Sequence, residues 1–369
     1  MGLVSPEHAE LIISHSNQAW GKRQTPHTSR SGVFALTLLA AVAIFVLPAA
    51  VAAAPAGDSG ASLLKPWDSF FSVAFQPSGK CYVVGTEGSL LTSTDGGRHW
   101  ERRAIAERGD LSWSDLYSIR FAGDGQTGWI GGEGGLILKT TDGGVTWTPQ
   151  SSGTTENVFR IAVVDPQTAY ASGSNGLLLG TADGGAHWQP QTFKGGLIFF
   201  DVAFADAHNG WAVGEFETII HTADGGKTWA PQIGGKRADF KLPALFAVRF
   251  SDAQHGWVAG QGGTMLRTDN GGTTWQSFTA PSAAPMYSVT YVDGASGSAP
   301  TELWGSGDGG ALIRVALAAG GAPPTEQSPT VFSLADIAFN GKNGVAVGLG
   351  GTIVRTGDGG AHWKVVTGK

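Results

Sequence analysis

TADGGKTW, residues 222–229, is the stretch whose reading decides the fold, because the chain repeats it. Other intact copies read STDGGRHW (93–100), TTDGGVTW (140–147), TADGGAHW (181–188) and TGDGGAHW (356–363). A further copy, TDNGGTTW (268–275), has Asn270 in the Asp position. The Trp-to-Trp steps are 47, 41, 41, 46 and 88 residues, so one box is eroded inside the last step. A repeat of about 40–47 residues marks a solenoid, an array or a propeller. Each unit reads as four short β segments. In the second unit these are LYSIRF (116–121), GWIGG (128–132), LILKT (136–140) and TWTPQ (146–150). They are bounded by Gly or Asp turns and rich in β-branched and aromatic residues. Four strands per unit, repeated radially, make a propeller blade.

Two aromatic columns test this frame. Thirteen residues before the box Asp stand Tyr82, Trp129, Tyr170, Trp211 and Trp257, with Val345 in the last unit. The unit without a box contributes Trp304, ahead of SGDGGALIR (306–314). At the second residue of each first strand stand Phe71, Tyr117, Phe159, Phe200, Phe246, Tyr287 and Ala335. Both columns recover the missing unit. The expected fold is all-β: a seven-bladed β-propeller over residues 70–369, built of four-stranded antiparallel blades, with Asp-box turns between strands three and four.

Within a box, the Gly-Gly pair supplies positive φ. The Asp carboxylate and the Ser/Thr hydroxyl accept the turn's own N–H groups, and the Trp lays an apolar face on the blade. Asp95, Asp142, Asp183, Asp224, Asn270 and Asp358 are therefore expected to be structural. A catalytic or Ca²⁺ site would need one such residue, not one in every unit.

The chain has 369 residues, 24 Lys+Arg against 30 Asp+Glu, and no basic run. Nucleic acid is thus not an expected partner. Lys22, Arg23 and Arg30 precede an uncharged stretch, 33–54. This has the form of a signal peptide, and it is also long enough to anchor the chain in a membrane. Residues 1–54 are assigned to that role, and export to a periplasmic or other extracytoplasmic place is expected. Residues 55–69 read as a linker, and 62–69, with Trp67, could add an outer strand to the last blade. Cys81 is the only cysteine, so no disulfide within the chain is possible.

No catalytic set emerges. His99, His187 and His362 occupy a box position that is Thr elsewhere. No metal-ligand spacing appears, and no cofactor is expected. A sialidase would need an arginine cluster, a Tyr-Glu nucleophile pair and an Asp acid. Arg120, Arg160 and Arg249 recur on first strands, in units two, three and five, and repeat positions account for them without a site. Xyloglucan hydrolases built of two such propellers need roughly twice this length.

The boxes are expected on one face of the propeller. The turns between strands two and three, and the connections between blades, belong to the other. There the first variable residue after each second strand is Thr86, Glu133, Ser174, Glu215, Gln261, Asp308 and Leu349. This predicts a mildly acidic ring around the channel mouth. Phe216 and Glu217 replace the usual glycines and are expected to project further. Insertions at 101–115, with Trp113, and at 233–244, with Lys236, Arg237 and Phe240, reach the same face. An aromatic beside charge is the pattern of a protein-docking anchor.

AFADAHNGWAVGEFETIIHTADGGKTW (203–229) and RFSDAQHGWVAGQGGTMLRTDNGGTTW (249–275) resemble the photosystem II stability/assembly factor-like family of seven-bladed Asp-box propellers. The resemblance runs from about residue 70 to 369. It implies a non-catalytic role, since plant and cyanobacterial members bind a newly made membrane subunit on the lumenal side during assembly. The boxes here are more regular than theirs, and their arginine patch has no residue-by-residue match. The chain looks closer to exported bacterial relatives, for which the resemblance implies an accessory or assembly role beside membrane proteins. The expected function is an exported scaffold that binds protein and assists a membrane complex. The alternatives are a sialidase-like glycoside hydrolase and a carbohydrate-binding propeller without catalysis.

Overall fold

The computed structural model describes residues 64, 67–105, 114–191, 193, 195–235, 242–292, 299–318 and 323–366. The leader 1–54 lies outside them, as do Trp113, Lys236, Arg237 and Phe240. Among the described residues, every regular element but a few single turns of 3-10 helix is a short strand.

Blade 1 is β1 (Phe70–Phe75), β2 (Cys81–Gly85), β3 (Leu90–Ser93) and β4 (Glu101–Arg103). Blade 2 is β5 (Leu116–Phe121), β6 (Gly128–Gly132), β7 (Ile137–Thr140) and β8 (Thr148–Gln150). Blade 3 is β9 (Val158–Val163), β10 (Ala169–Gly173), β11 (Leu178–Thr181) and β12 (Gln189–Pro190). Blade 4 is β13 (Phe199–Phe204), β14 (Gly210–Gly214), β15 (Ile219–Thr222) and β16 (Ala230–Ile233). Blade 5 is β17 (Leu245–Phe250), β18 (Gly256–Gly260), β19 (Thr264–Thr268) and β20 (Gln276–Thr279). Blade 6, the unit without a box, is β21 (Met286–Val292), β22 (Glu302–Gly307), β23 (Leu312–Ala316) and β24 (Thr325–Gln327). Blade 7 is β25 (Leu334–Asn340), β26 (Asn343–Gly348), β27 (Ile353–Thr356) and β28 (Lys364–Val365).

Each blade is a separate antiparallel sheet in chain order, so the protein is a seven-bladed propeller. Blades 1 and 7 each draw their four strands from one end of the chain, and among the described residues none is exchanged. Of residues 62–69, the described ones belong to no strand.

The blades lock together through the two features that defined the repeat. The second-strand column is buried throughout: Tyr82, Trp129, Trp211, Trp304 and Val345 have no exposed surface, and Tyr170 and Trp257 almost none. Those whose following blade carries a box sit against it, while Trp257 packs on Met286, Leu303 and Ile313 of the boxless blade 6. Tyr82 donates its hydroxyl hydrogen to the Gly143 carbonyl, and Trp211 Nε1 donates to Gly271 O at 3.3 Å. A Cβ on Gly360 would lie 2.3 Å from Trp304 Cζ2, and one on Gly97 would lie 2.8 Å from Val345 Cγ2. The second glycine of the box therefore answers to a neighbour's side chain as well as to its own φ of 88° at Gly360. On the fourth strand, Gln150 Oε1 accepts from Trp129 Nε1 and from the box indole of Trp188, while its Nε2 donates to Gly184 O. Gln232 holds Trp275 and Gly271 in the same way.

Residues 94–100 lie between β3 and β4, and the box carboxylate is bonded by its own turn. Asp95 Oδ1 accepts from the N–H groups of Arg98 at 2.9 Å and His99 at 3.0 Å. Ser93 Oγ donates to Asp95 Oδ1 and accepts from Gly97 N. The bond from the N–H four residues on recurs at Asp142, Asp183, Asp224 and Asp358, and the one three residues on recurs at Asp142. At Asn270 the side-chain oxygen accepts from Thr274 N. Thr and His share one box position for a visible reason. Thr146 and Thr228 hydroxyls reach the carboxylate at 2.6 Å, and the ring Nδ1 of His187 does so at 2.7 Å.

Candidate functional site: the channel mouth

Strand register assigns the turns to faces. Phe70 at the start of β1 pairs with Gly85 at the end of β2. Leu90 at the start of β3 pairs with Arg103 at the end of β4. One face therefore carries the turns between second and third strands and the connections between blades. The opposite face carries the boxes.

In all seven blades the register of the first strand slips between its first and third residues. Such a bulge re-aims one side chain, here the second residue. Phe71, Tyr117, Phe159, Phe200, Phe246 and Tyr287 follow one another around the mouth with ring centroids 5.3–6.5 Å apart. Their interplanar angles, 34° to 65°, bracket the ~51° turn between blades of a sevenfold ring. Ala335 of blade 7 is the one gap in the circle.

The acidic turn residues look onto this ring. Glu133 and Asp308 are exposed on single 3-10 turns. Burial raises the Tyr117 hydroxyl above its ordinary range, and the charges of Asp115 and Glu133 raise it further. Burial and then Asp308 push Tyr287 up to about 12. Asp308 also accepts from Ser333 Oγ at 2.5 Å. Gln261 is exposed, and its Oε1 accepts from Ala244 N at 3.3 Å. Glu215 is half-buried and accepts from Ile198 N at 2.9 Å. Phe216 and Glu217 have φ of 57° and 54°, the left-handed region that usually needs glycine. Both are half-buried, and Glu217 N donates to Pro243 O at 2.7 Å, so this turn folds back rather than projecting. A groove of about 980 Å³ opens beside Glu133, lined also by Ser114, Gln150, Ser152 and Thr154.

Below the ring the channel is bridged by charge. Arg120 Nη2 lies 3.2 Å from Asp336 Oδ2, and Arg160 Nη1 reaches the same oxygen at 3.2 Å. Arg160 Nε lies 3.5 Å from Asp201 Oδ1, and Arg249 Nη1 reaches Asp201 Oδ2 at 2.8 Å. The order Arg249, Asp201, Arg160, Asp336, Arg120 spans blades 5, 4, 3, 7 and 2. Burial drives the Asp336 carboxyl upward, but Arg120 and Arg160 outweigh it and hold the group well below the ordinary carboxylate range. Burial pulls Arg120 down to about 10 despite Asp336.

These pairings correct the reading of the three arginines as bare repeat positions, since they form one cluster with two aspartates. Asp201 and Asp336 escaped notice. Their signal was a carboxylate at the third first-strand position, where three other blades carry Ser72, Ser118 and Ser288. The small residue has a role there: Ser72 Oγ accepts from Ile119 N of the next blade, and Asp201 Oδ2 accepts from Val248 N.

A family profile described as photosynthesis system II assembly factor YCF48 matches residues 64–152 and 192–290, more than half of the chain. The chain belongs to this family. Among solved structures, one titled YCF48 bound to D1 peptide is 22% identical with a TM-score of 0.63, covering 82% of this chain and 99% of that one. YCF48 from Cyanidioschyzon merolae is 21% identical at a TM-score of 0.61, covering 80% and 98%. A GH74 xyloglucanase from Xanthomonas campestris is 15% identical at 0.62, covering 84% of this chain but 55% of its own. These likenesses are of fold. No curated protein sequence matches the chain.

Proposed function

We propose that this YCF48-family chain is an exported, non-catalytic scaffold that binds a protein at its channel mouth and assists assembly or stability of a membrane complex. The observation that carries the reading is the aromatic ring on the face opposite the boxes, half-buried at Phe71, Tyr117, Phe159 and Tyr287 and rimmed by Glu133 and Asp308. Amphipathic aromatic surface is what protein-binding hot spots use. The peptide named with the YCF48 neighbour supports a protein as the class of ligand. Export rests on the uncharged stretch 33–54 behind Lys22, Arg23 and Arg30. A glycosidase reading has less support. Asp201 and Asp336, the carboxylates on the described first strands, are fully buried and paired with arginine, so neither is placed to protonate a glycosidic oxygen.

Affinity capture from detergent-solubilised membranes tests the proposal, paired with a deletion strain. One membrane complex should be recovered, and the same complex should be depleted by the deletion. Normal complexes in the deletion strain, or turnover of a fluorogenic glycoside lost in Arg160→Ala, would reject it.

A further inference from the structure

The described first strands carry five charged residues, Arg120, Arg160, Arg249, Asp201 and Asp336. Three guanidiniums face two carboxylates, so the channel holds one surplus positive charge. Both aspartates have no exposed surface, Arg160 is only 6% exposed and the Arg120 and Arg249 side chains are 21% exposed, so most of the cluster is screened from bulk solvent. A buried charge without a counter-charge is costly.

Hydrogen-bonding capacity is left over at the same place. Arg160 spends Nη1 on Asp336, its Nε stands 3.5 Å from Asp201 Oδ1 without a hydrogen bond, and Nη2 has no acceptor among the described residues. Arg249 spends Nη1 on Asp201 and on the Val248 carbonyl, leaving Nε and Nη2 without acceptors among those residues. No guanidinium nitrogen is among the fully enclosed polar atoms that lack a partner, so these N–H groups open onto channel space. Arg160 and Arg249 approach the two oxygens of one carboxylate, Asp201, which brings the two guanidiniums to one place in the channel.

We propose that the central channel holds a small monovalent anion, a halide or a carboxylate, bound by Arg160 and Arg249 beneath the aromatic ring. One negative charge neutralises the cluster, and the planar guanidinium fork suits either kind of acceptor. Aspartate already fills the other arginine-facing positions, so the site takes one ion. Multivalent anions such as phosphate would overcompensate it.

Thermal unfolding of the full chain tests this at constant ionic strength, with the bulky anion isethionate replaced stepwise by chloride or by acetate. Binding to the folded state raises Tm with the logarithm of the anion concentration once it exceeds Kd, by about 2–4 °C at roughly 100 times Kd. A response to chloride alone identifies a halide site, and a response to acetate identifies a carboxylate site. Either supports the proposal, and a response to neither overturns it. Arg249→Gln leaves two arginines with two aspartates and should abolish the response. An undiminished response in that variant would mean that the anion acts elsewhere. Should Arg249→Gln fail to fold, crystals of the unaltered protein soaked in bromide decide the matter. Where acetate alone gave the response, a brominated carboxylate takes the place of bromide; an anomalous peak beside Arg160 and Arg249 is expected, and its absence with the anion that gave the response overturns the site.

Discussion

Asp336 of blade 7 accepts a hydrogen bond from the Ser72 hydroxyl of blade 1 at 2.9 Å. The same carboxylate accepts from Val73 N and Ser288 Oγ and balances Arg120 and Arg160. It therefore joins the two ends of the ring and three blades within it. Asp336→Ala should cost about 3–5 kcal/mol, because it strands buried guanidiniums. Urea unfolding measures this, and a loss below about 1 kcal/mol would show that the seam closes without it.

Acid should unfold the protein along a defined path. Partial burial opposes the shift at Asp95 and Asp142, but the turn N–H and hydroxyl donors outweigh it and lower both to about 2 from 3.8. Asp224 falls to about 2 through Thr228 and Thr222, and Asp336 is also depressed. A carboxyl depressed on folding adds stability above its unfolded value and loses it as pH falls through the folded one. The urea midpoint should hold down to about pH 4 and drop steeply towards pH 2. A flat profile across that window would contradict the assignment.

The two glycines of one box should not be equivalent. Gly359 has φ of 75° and nothing within 4 Å of an added Cβ, whereas the Cβ of Gly360 would meet the Trp304 ring at 2.3 Å. Gly359→Ala should cost about 1–2 kcal/mol for backbone alone. Gly360→Ala should cost about 2–5 kcal/mol, since overpacking is added. Equal losses would mean that the neighbouring indole yields freely.

Binding and stability should separate by face. Tyr117→Ala with Phe159→Ala alters half-buried rings at the mouth and should weaken partner capture at least tenfold. Asp183→Ala removes a turn acceptor on the box face and should lower Tm while leaving capture by the folded protein unchanged. The reverse pattern would place the docking surface among the boxes.

The blade count and strand order were legible because each unit repeats the same steric problem. A Gly-Gly turn, an indole and a buried aromatic must recur wherever one blade packs on the next, so Trp129 or Trp257 could be placed from spacing alone. The sheet edges were less legible: TWTPQ shortens to Thr148–Gln150, because Trp147 still belongs to the turn. The ion cluster was illegible for a different reason. Asp201 and Asp336 lie 135 residues apart and meet only when a circle closes, which no local period records. Arg160 likewise resembles a strand residue until the opposite wall of the channel is in place.

Because no strand among the described residues crosses from blade 7 to blade 1, this seam is chemically of the same kind as the other six. Leu64 and Val366 pack in one apolar cluster with Phe70 and Val345, so the first and last described segments meet. A gene rewired to begin at another blade, with these two segments joined by a short linker, would encode the same circle in a different reading order. Sequential order is thus a convention of this molecule, and cyclic order is its invariant.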